Sequence, residues 1–217
     1  ADAERAVELL EAIVRYGTLG RHLTQPWRVV LTGRPNVGKS SLINQLLGYR
    51  RALVYPQPGT TRDVLTAVTA VDGWPIELAD TAGQRTATDP IEAAGIRRAD
   101  DRLSRADVVV IVFDASQPLV TDDRRLMARH ASALHAYNKI DLAGESTVPA
   151  GAIGTSAISG EGINRLVAAI AERLVPNVPP VGAAVPFDRR QVDLLHQTLD
   201  AVRMGRPAAA LTILQSL

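Results

Sequence analysis

The segment Gly33-Arg34-Pro35-Asn36-Val37-Gly38-Lys39-Ser40 narrows the possible folds of this chain more than any other stretch. It reads G-x-x-x-x-G-K-[ST], and it lies between a strand-like run, Trp27 to Thr32, and a helical stretch, Lys39 to Leu47. Strand, glycine turn and helix in that order form a cradle for phosphate. The glycines let backbone N–H groups curl inward, and the helix presents its positive end. Lys39 is expected to reach the β- and γ-phosphates and the Ser40 hydroxyl to ligate Mg²⁺. Gly33, Asn36, Val37, Gly38 and Ser41 complete the contacting loop. The competing reading of the same residues is an ordinary glycine turn before a helix.

The periodicity around this loop alternates between strand and helix. Val7, Leu10 and Val14 share a face of a helix expected over 3–16, with Gly17 and Gly20 ending it. Extended segments at 64–72 and 75–79 flank Asp72-Gly73, a hairpin signal. A helix is expected over 90–104, ahead of Val108 to Phe113, an unbroken apolar run typical of a parallel strand buried on both faces. A helix over 122–130, a strand ending near Tyr137, a loop, a short strand near Ile153 and a helix over 162–174 follow. Pro176, Pro179, Pro180 and Pro186 mark a linker, beyond which Gln191–Val202 and Pro207–Leu217 read as helices. The expected architecture is an α/β P-loop fold, a mostly parallel sheet with helices on both faces, plus helices from both termini. The expected domains are an N-terminal helix in 1–20, a nucleotide-binding core over 27–175 and a C-terminal helical segment over 186–217.

Four further motifs lie in the same core. Asp80-Thr81-Ala82-Gly83 ends the apolar Ile76-Glu77-Leu78-Ala79; the Asp80 carboxylate could hold Mg²⁺ through water and the Gly83 N–H could sense a γ-phosphate. A plain turn fits those four residues equally. Thr60 and Thr61, in Pro58-Gly59-Thr60-Thr61-Arg62-Asp63, sit between the first helix and the second strand. Thr61 could complete the Mg²⁺ shell only with a γ-phosphate present, making the loop a switch; the two threonines could also simply start the strand. Asn138-Lys139-Ile140-Asp141 is N-K-x-D. One carboxylate, Asp141, can accept both the N1–H and the 2-amino group of guanine, which adenine does not offer together. The Lys139 stem can lie over the base, and Asn138 can bond the base or tie its loop to the phosphate loop. Ser156-Ala157 offers a backbone N–H to the guanine O6. A solvated charged loop and a small-residue turn are the alternatives for these last two. Joint occurrence in this order, each motif at a strand end, selects GTP binding over the separate alternatives.

Composition excludes other chemistries. The chain has no cysteine, hence no disulfide, thiolate metal site or cysteine nucleophile, which fits a reducing compartment. With 24 basic and 23 acidic residues and a formal charge of +1, nothing favours a polybasic nucleic-acid or membrane surface. No apolar run approaches the roughly 20 residues that span a bilayer, and Ala1-Asp2-Ala3-Glu4-Arg5 lacks a signal-peptide pattern. A cytoplasmic protein is expected, and a start other than Met suggests a piece of a longer chain.

The strings Gly33 to Ser41, Gly59-Thr-Thr-Arg-Asp63, Asp80 to Gly83 and Ile91-Glu-Ala-Ala-Gly-Ile96 resemble the MnmE (TrmE) tRNA-modification GTPases. The first strings are shared with the related Era and EngA GTPases; the Ile91–Ile96 stretch and the flanking helices point to MnmE, whose G domain is inserted in a helical domain. The cysteine motif and the folate-binding domain of that family are not in this sequence. The resemblance implies GTP hydrolysis stimulated by K⁺ on transient homodimerisation of G domains, in wobble-uridine modification with a partner protein and tRNA. It implies K⁺ coordination by Asn36 with Tyr55, Gln57 and Thr60, in the place where other GTPases set an arginine finger. For the attacking water it points to Glu92, while Gln84 occupies the position where Ras-type enzymes carry their water-orienting glutamine. Asp89-Pro90-Ile91-Glu92 also reads as a helix start with Glu92 turned back on the cap, and Gln84 also reads as a solvated loop residue. A ribosome-assembly GTPase and a nucleotide-gated interaction module with negligible turnover are the alternative functions.

Overall fold

Alternating apolar runs and polar strand ends give six strands among the described residues, which in the computed structural model are 2–48, 66–80 and 103–217. They are β1 (Trp27–Thr32), β2 (Thr66–Val71), β3 (Trp74–Asp80), β4 (Val108–Asp114), β5 (Leu134–Asn138) and β6 (Ile153–Thr155). The helices are α1 (Asp2–Val14), α2 (Gly17–Arg21), α3 (Lys39–Leu47), α4 (Thr121–Arg129), α5 (Ile140–Ala143), α6 (Ile163–Leu174), α7 (Arg189–Arg203) and α8 (Pro207–Leu214). By contacts the chain divides into two compact units, residues 27–176 and residues 1–26 with 177–217.

The first unit holds a sheet of order β2-β3-β1-β4-β5-β6. β3, β1, β4, β5 and β6 run parallel, and β2 is antiparallel to β3. That pair is the hairpin read from Asp72-Gly73, whose φ angles of 49° and 87° suit the two-residue turn that matches strand twist. The centre is dry on both faces, since Val110, Ile111 and Val112 are all wholly buried. Ile111, Phe113 and Tyr137 pack with Leu126 and Met127 of α4. α6 buries Ile163, Leu166, Val167, Ile170 and Leu174, and α3 buries Leu42, Ile43 and Leu46, each set a helical stripe. The α/β, mostly parallel fold expected from the sequence is the one observed. The helix expected over 90–104 falls largely outside the described residues.

In the second unit α1 and α7 pack around Leu10, Leu195 and Leu199, with Val7, Ile13, Val14 and Val202 against them, and α8 packs on α7. α7 starts two residues before the expected Gln191, because the Asp188 carboxylate accepts the Gln191 N–H at 2.7 Å and caps the helix. Gly17 and Gly20 do not simply end a helix; they form α2. A Cβ on Gly20 would lie 1.6 Å from the Pro186 carbonyl oxygen, so the glycine there serves close backbone approach. The stretch between β5 and β6, read as a loop, contains α5 and a 3₁₀ turn at Glu145–Thr147.

Candidate nucleotide-binding site

In an open parallel sheet the ligand crevice lies beyond the carboxyl ends of the strands, and the polar residues of this unit gather there. Asp80 ends β3, Asp114 ends β4, Asn138 ends β5 and Thr155 ends β6, with Asp114 paired to Asn138 and Asn138 to Thr155 in register. All four are buried, at 1%, 4%, 2% and 0% exposure. Burying a polar group is costly unless it is hydrogen-bonded, and each of the four has partners: Ser40 for Asp80, Ser116 and Lys139 for Asp114, Val37 and Ala157 for Asn138, Tyr137 and Asn138 for Thr155.

The phosphate loop leaves β1 and enters α3. Asn36 takes a left-handed φ of 63°, which asparagine tolerates better than most residues, and its side chain faces solvent. Gly38 has φ 97°, and a Cβ there would meet Asn138 Nδ2 at 2.2 Å, so both backbone and space demand glycine. The buried Lys39 ammonium donates to the carbonyls of Gly33 at 2.9 Å and Arg34 at 2.7 Å, folded against its own loop. Ser40 donates its hydroxyl to Asp80 Oδ2 at 2.8 Å. These hard oxygen donors, from motifs forty residues apart, suit Mg²⁺, which keeps most of its shell for water and phosphate. No cluster of three His, Cys, Asp or Glu able to hold a metal exists among the described residues. Val37 is buried, and Ser41 is exposed on the first turn of α3.

Two side chains, Asn138 and Gln45, join the phosphate loop and its helix to the segments read as the base reader. Asn138 Nδ2 donates to the Val37 carbonyl at 2.9 Å, and Asn138 Oδ1 accepts the Ala157 N–H at 3.1 Å. Of the two roles open to Asn138, the tie to the phosphate loop is therefore made. The Ala157 N–H, read as a donor to the guanine O6, is directed at Asn138. Ser156 closes its own turn, its N–H donating to the Glu161 carbonyl and its hydroxyl accepting the Ser159 N–H. Gln45 of α3 donates to the Ala157 carbonyl at 2.9 Å. Asp141 is exposed in the first turn of α5. Tyr55, Gln57, Thr60, Thr61, Gly83, Gln84 and Glu92 lie outside the described residues.

Two anchors escaped the sequence reading. Lys139, at a left-handed φ of 69°, donates to Asp114 Oδ2 at 2.7 Å. Burial raises the Asp114 carboxyl, but hydrogen bonds from Lys139, from the Ser116 hydroxyl and from the Ser116 N–H, with the Lys139 charge, outweigh it and hold the group below the usual carboxylate value. Arg34 Nε donates to Asp123 Oδ1 at 3.0 Å, and Asp123 Oδ2 accepts the Val120 N–H at 3.0 Å, so α4 is fastened to the phosphate loop. The available signal was the carboxylate that abruptly ends the apolar run Val108–Phe113, as Asp80 ends β3.

Residues 28–144 match the family model described as 50S ribosome-binding GTPase. The chain is 39% identical over 218 residues to the tRNA modification GTPase MnmE of Synechococcus sp. (strain WH7803), covering 96% of this chain and 47% of that protein. It is 41% identical over 193 residues to MnmE of Chloroflexus aurantiacus, covering 83% of this chain and 42% of that protein. A crystal structure of a variant of Aquifex aeolicus Era bound to GDP and AlF4⁻ matches with a TM-score of 0.54 and 26% identity, over 74% of this chain and 60% of that one. The chain thus spans less than half the length of those two curated relatives. It belongs to the GTPase family of that description, with the MnmE GTPases as its curated relatives.

Proposed function

We propose that the chain binds GTP with Mg²⁺, hydrolyses it to GDP and phosphate, and serves as the GTPase part of an MnmE-type tRNA-modification protein. The observation that carries the reading is the single carboxamide of Asn138, hydrogen-bonded at one end to the phosphate loop and at the other to Ala157.

In this reading the N–H groups of Gly33 to Ser41 cradle the phosphates, and the Lys39 ammonium moves from the carbonyls of Gly33 and Arg34 to β- and γ-phosphate oxygens. Ser40 and Thr61 hold the Mg²⁺, with Asp80 acting through water; the ion, when bound, offsets charge on the phosphate oxygens. The Gly83 N–H reads the γ-phosphate. Asp141 accepts the guanine N1–H and 2-amino group, Lys139 covers the base from the position fixed by Asp114, and Ser156-Ala157 faces O6, the Ala157 N–H being shared with Asn138. Glu92 or Gln84 orients the attacking water. Asn36, Tyr55, Gln57 and Thr60 hold K⁺, which would supply positive charge to the reaction as two G domains pair transiently. tRNA and a modification partner protein are the proposed partners, on the strength of the names of the relatives. Among the described residues no helix is long and apolar enough to cross a membrane, which is compatible with the cytoplasmic reading. The description of the matching family favours, as second reading, a role on the ribosome.

Nucleotide titrations and multiple-turnover phosphate release test the proposal. GTP should bind at least tenfold more tightly than ATP, the size expected of a lost pair of charge-assisted hydrogen bonds, and release should be faster in KCl than in NaCl. Equal affinity for ATP and GTP would overturn guanine binding; no turnover in either salt would leave a nucleotide-gated module. Equal rates in the two salts would remove K⁺ alone.

A further inference from the structure

Both backbone groups of Ala157 are held, in two successive peptide units. Its N–H donates to Asn138 at 3.1 Å, and its carbonyl accepts from Gln45 Nε2 at 2.9 Å. Gln45 lies on the helix that the phosphate loop opens, six residues after Lys39, on a turn that also buries Leu42 and Leu46. Its carboxamide oxygen faces Gly160, where an added Cβ would stand 3.9 Å away. The loop 156–162 has its own closure through Ser156, Ser159 and Glu161, and Gln45 bonds that closed turn to α3.

We propose that Gln45 is a positioning residue for guanine recognition, clamping the Ala157 segment to the phosphate-loop helix. The inference rests on the proposed guanine-nucleotide site. Asn138 alone leaves the Ala157 peptide pivoting on one hydrogen bond. The second bond, to the peptide unit that follows, holds the residue by its other backbone group and so limits rotation of the N–H that faces O6. Helix α3 thereby aligns both ends of the ligand, the phosphates through its N-terminus and the base through Gln45. Gln45 touches neither.

The test compares Gln45→Met, which keeps the length without the donor, with Gln45→Lys, which restores an N–H donor. Dissociation of a fluorescent GDP analogue and calorimetric affinity for inorganic tripolyphosphate are measured for wild type and both variants. Gln45→Met should release GDP about five- to tenfold faster, the worth of one neutral hydrogen bond, with tripolyphosphate affinity changed far less; Gln45→Lys should return most of the loss. Unchanged GDP release in Gln45→Met overturns the clamp, as does an equal loss for GDP and tripolyphosphate, which would mean a general disturbance of α3. Failure of the wild type to bind GDP while binding tripolyphosphate would instead defeat the guanine-site reading on which the clamp rests.

Discussion

The two compact units of the chain are held together by different means. At the carboxyl pole of the sheet the organising contacts are buried and polar: Asn138 with Val37 and Ala157, Lys139 with Asp114, Arg34 with Asp123. In the helical unit, residues 1–26 with 177–217, Leu10, Leu195 and Leu199 form a small buried apolar cluster. Its ion pairs, such as Arg203 with Glu11 at 2.6 Å, sit on half-exposed side chains and add little. Leu9, Met204 and Leu211 of that unit are 59%, 67% and 59% exposed. Polar bonds are directional and fix positions to fractions of an ångström; apolar contacts set stability with looser geometry. The first unit therefore spends its buried polar groups where a ligand must be aligned, and the second shows little such specification.

Substitutions on the two sides should separate along that line. The largest effect is expected in the helical unit, where Leu195→Ala leaves a cavity among few neighbours and should cost about 2–5 kcal/mol of local stability, read by hydrogen exchange in α7. GDP affinity of the same variant should stay within about twofold. A loss of GDP affinity parallel to the loss of protection would break the comparison. Next comes Asn138→Ala, which removes the bonds to Val37 and Ala157, about 1 kcal/mol each, with a longer one from the Thr155 hydroxyl, and leaves buried partners unsatisfied. It should weaken GDP by about 10²-fold, with α7 protection untouched.

A smaller effect is expected at Asp123→Asn, which keeps shape but removes the charge that holds Arg34. GTP turnover should fall about three- to tenfold, in keeping with the loss of a partly buried charge-assisted bond. A double substitution with Arg34→Met should cost no more than the larger of the two single changes; full additivity would mean that Arg34 and Asp123 act separately.

The smallest effect is pH-dependent. Burial holds His135 below its ordinary 6.5, its ring edge-on to Phe113 at 5.7 Å. The folded state thus binds a proton less readily than the unfolded one. Its stability should decline as pH falls below 6.5, flattening once the lowered value is passed. Asp114 acts in a separate window: its contribution is present above the ordinary carboxylate value of 3.8 and is lost as pH falls through its lowered one. Chemical denaturation at stepped pH should show the upper limb vanish in His135→Phe. Its persistence there would assign it to another group.

Much of this pole could be read in the sequence, because parallel strands declare themselves as apolar runs and each ends on a polar residue. Ser40 beside Asp80 and Asn138 beside Val37 are contacts between recognised motifs. What could not be read were pairings without local periodicity. Arg34 finds Asp123 and Gln45 finds Ala157 only after the sheet has stacked its crossovers. The α2 glycines misled for a related reason: Gly20 answers to Pro186, far along the chain, so its meaning as a packing residue was masked by its reputation as a helix breaker. The short α5 carries too few residues for a periodic pattern to emerge.

The double role of the Asn138 carboxamide also bears on motion. One planar group bonds to two loops, so displacement of either is passed to the other. In the proposed guanine-nucleotide reading, a phosphate group that stills the phosphate loop would narrow the excursions of Ala157, and a base that stills Ala157 would narrow those of Val37. The two halves of one nucleotide then share a single entropic loss instead of incurring two, and triphosphate and guanine offered as separate molecules should each assist the other's binding.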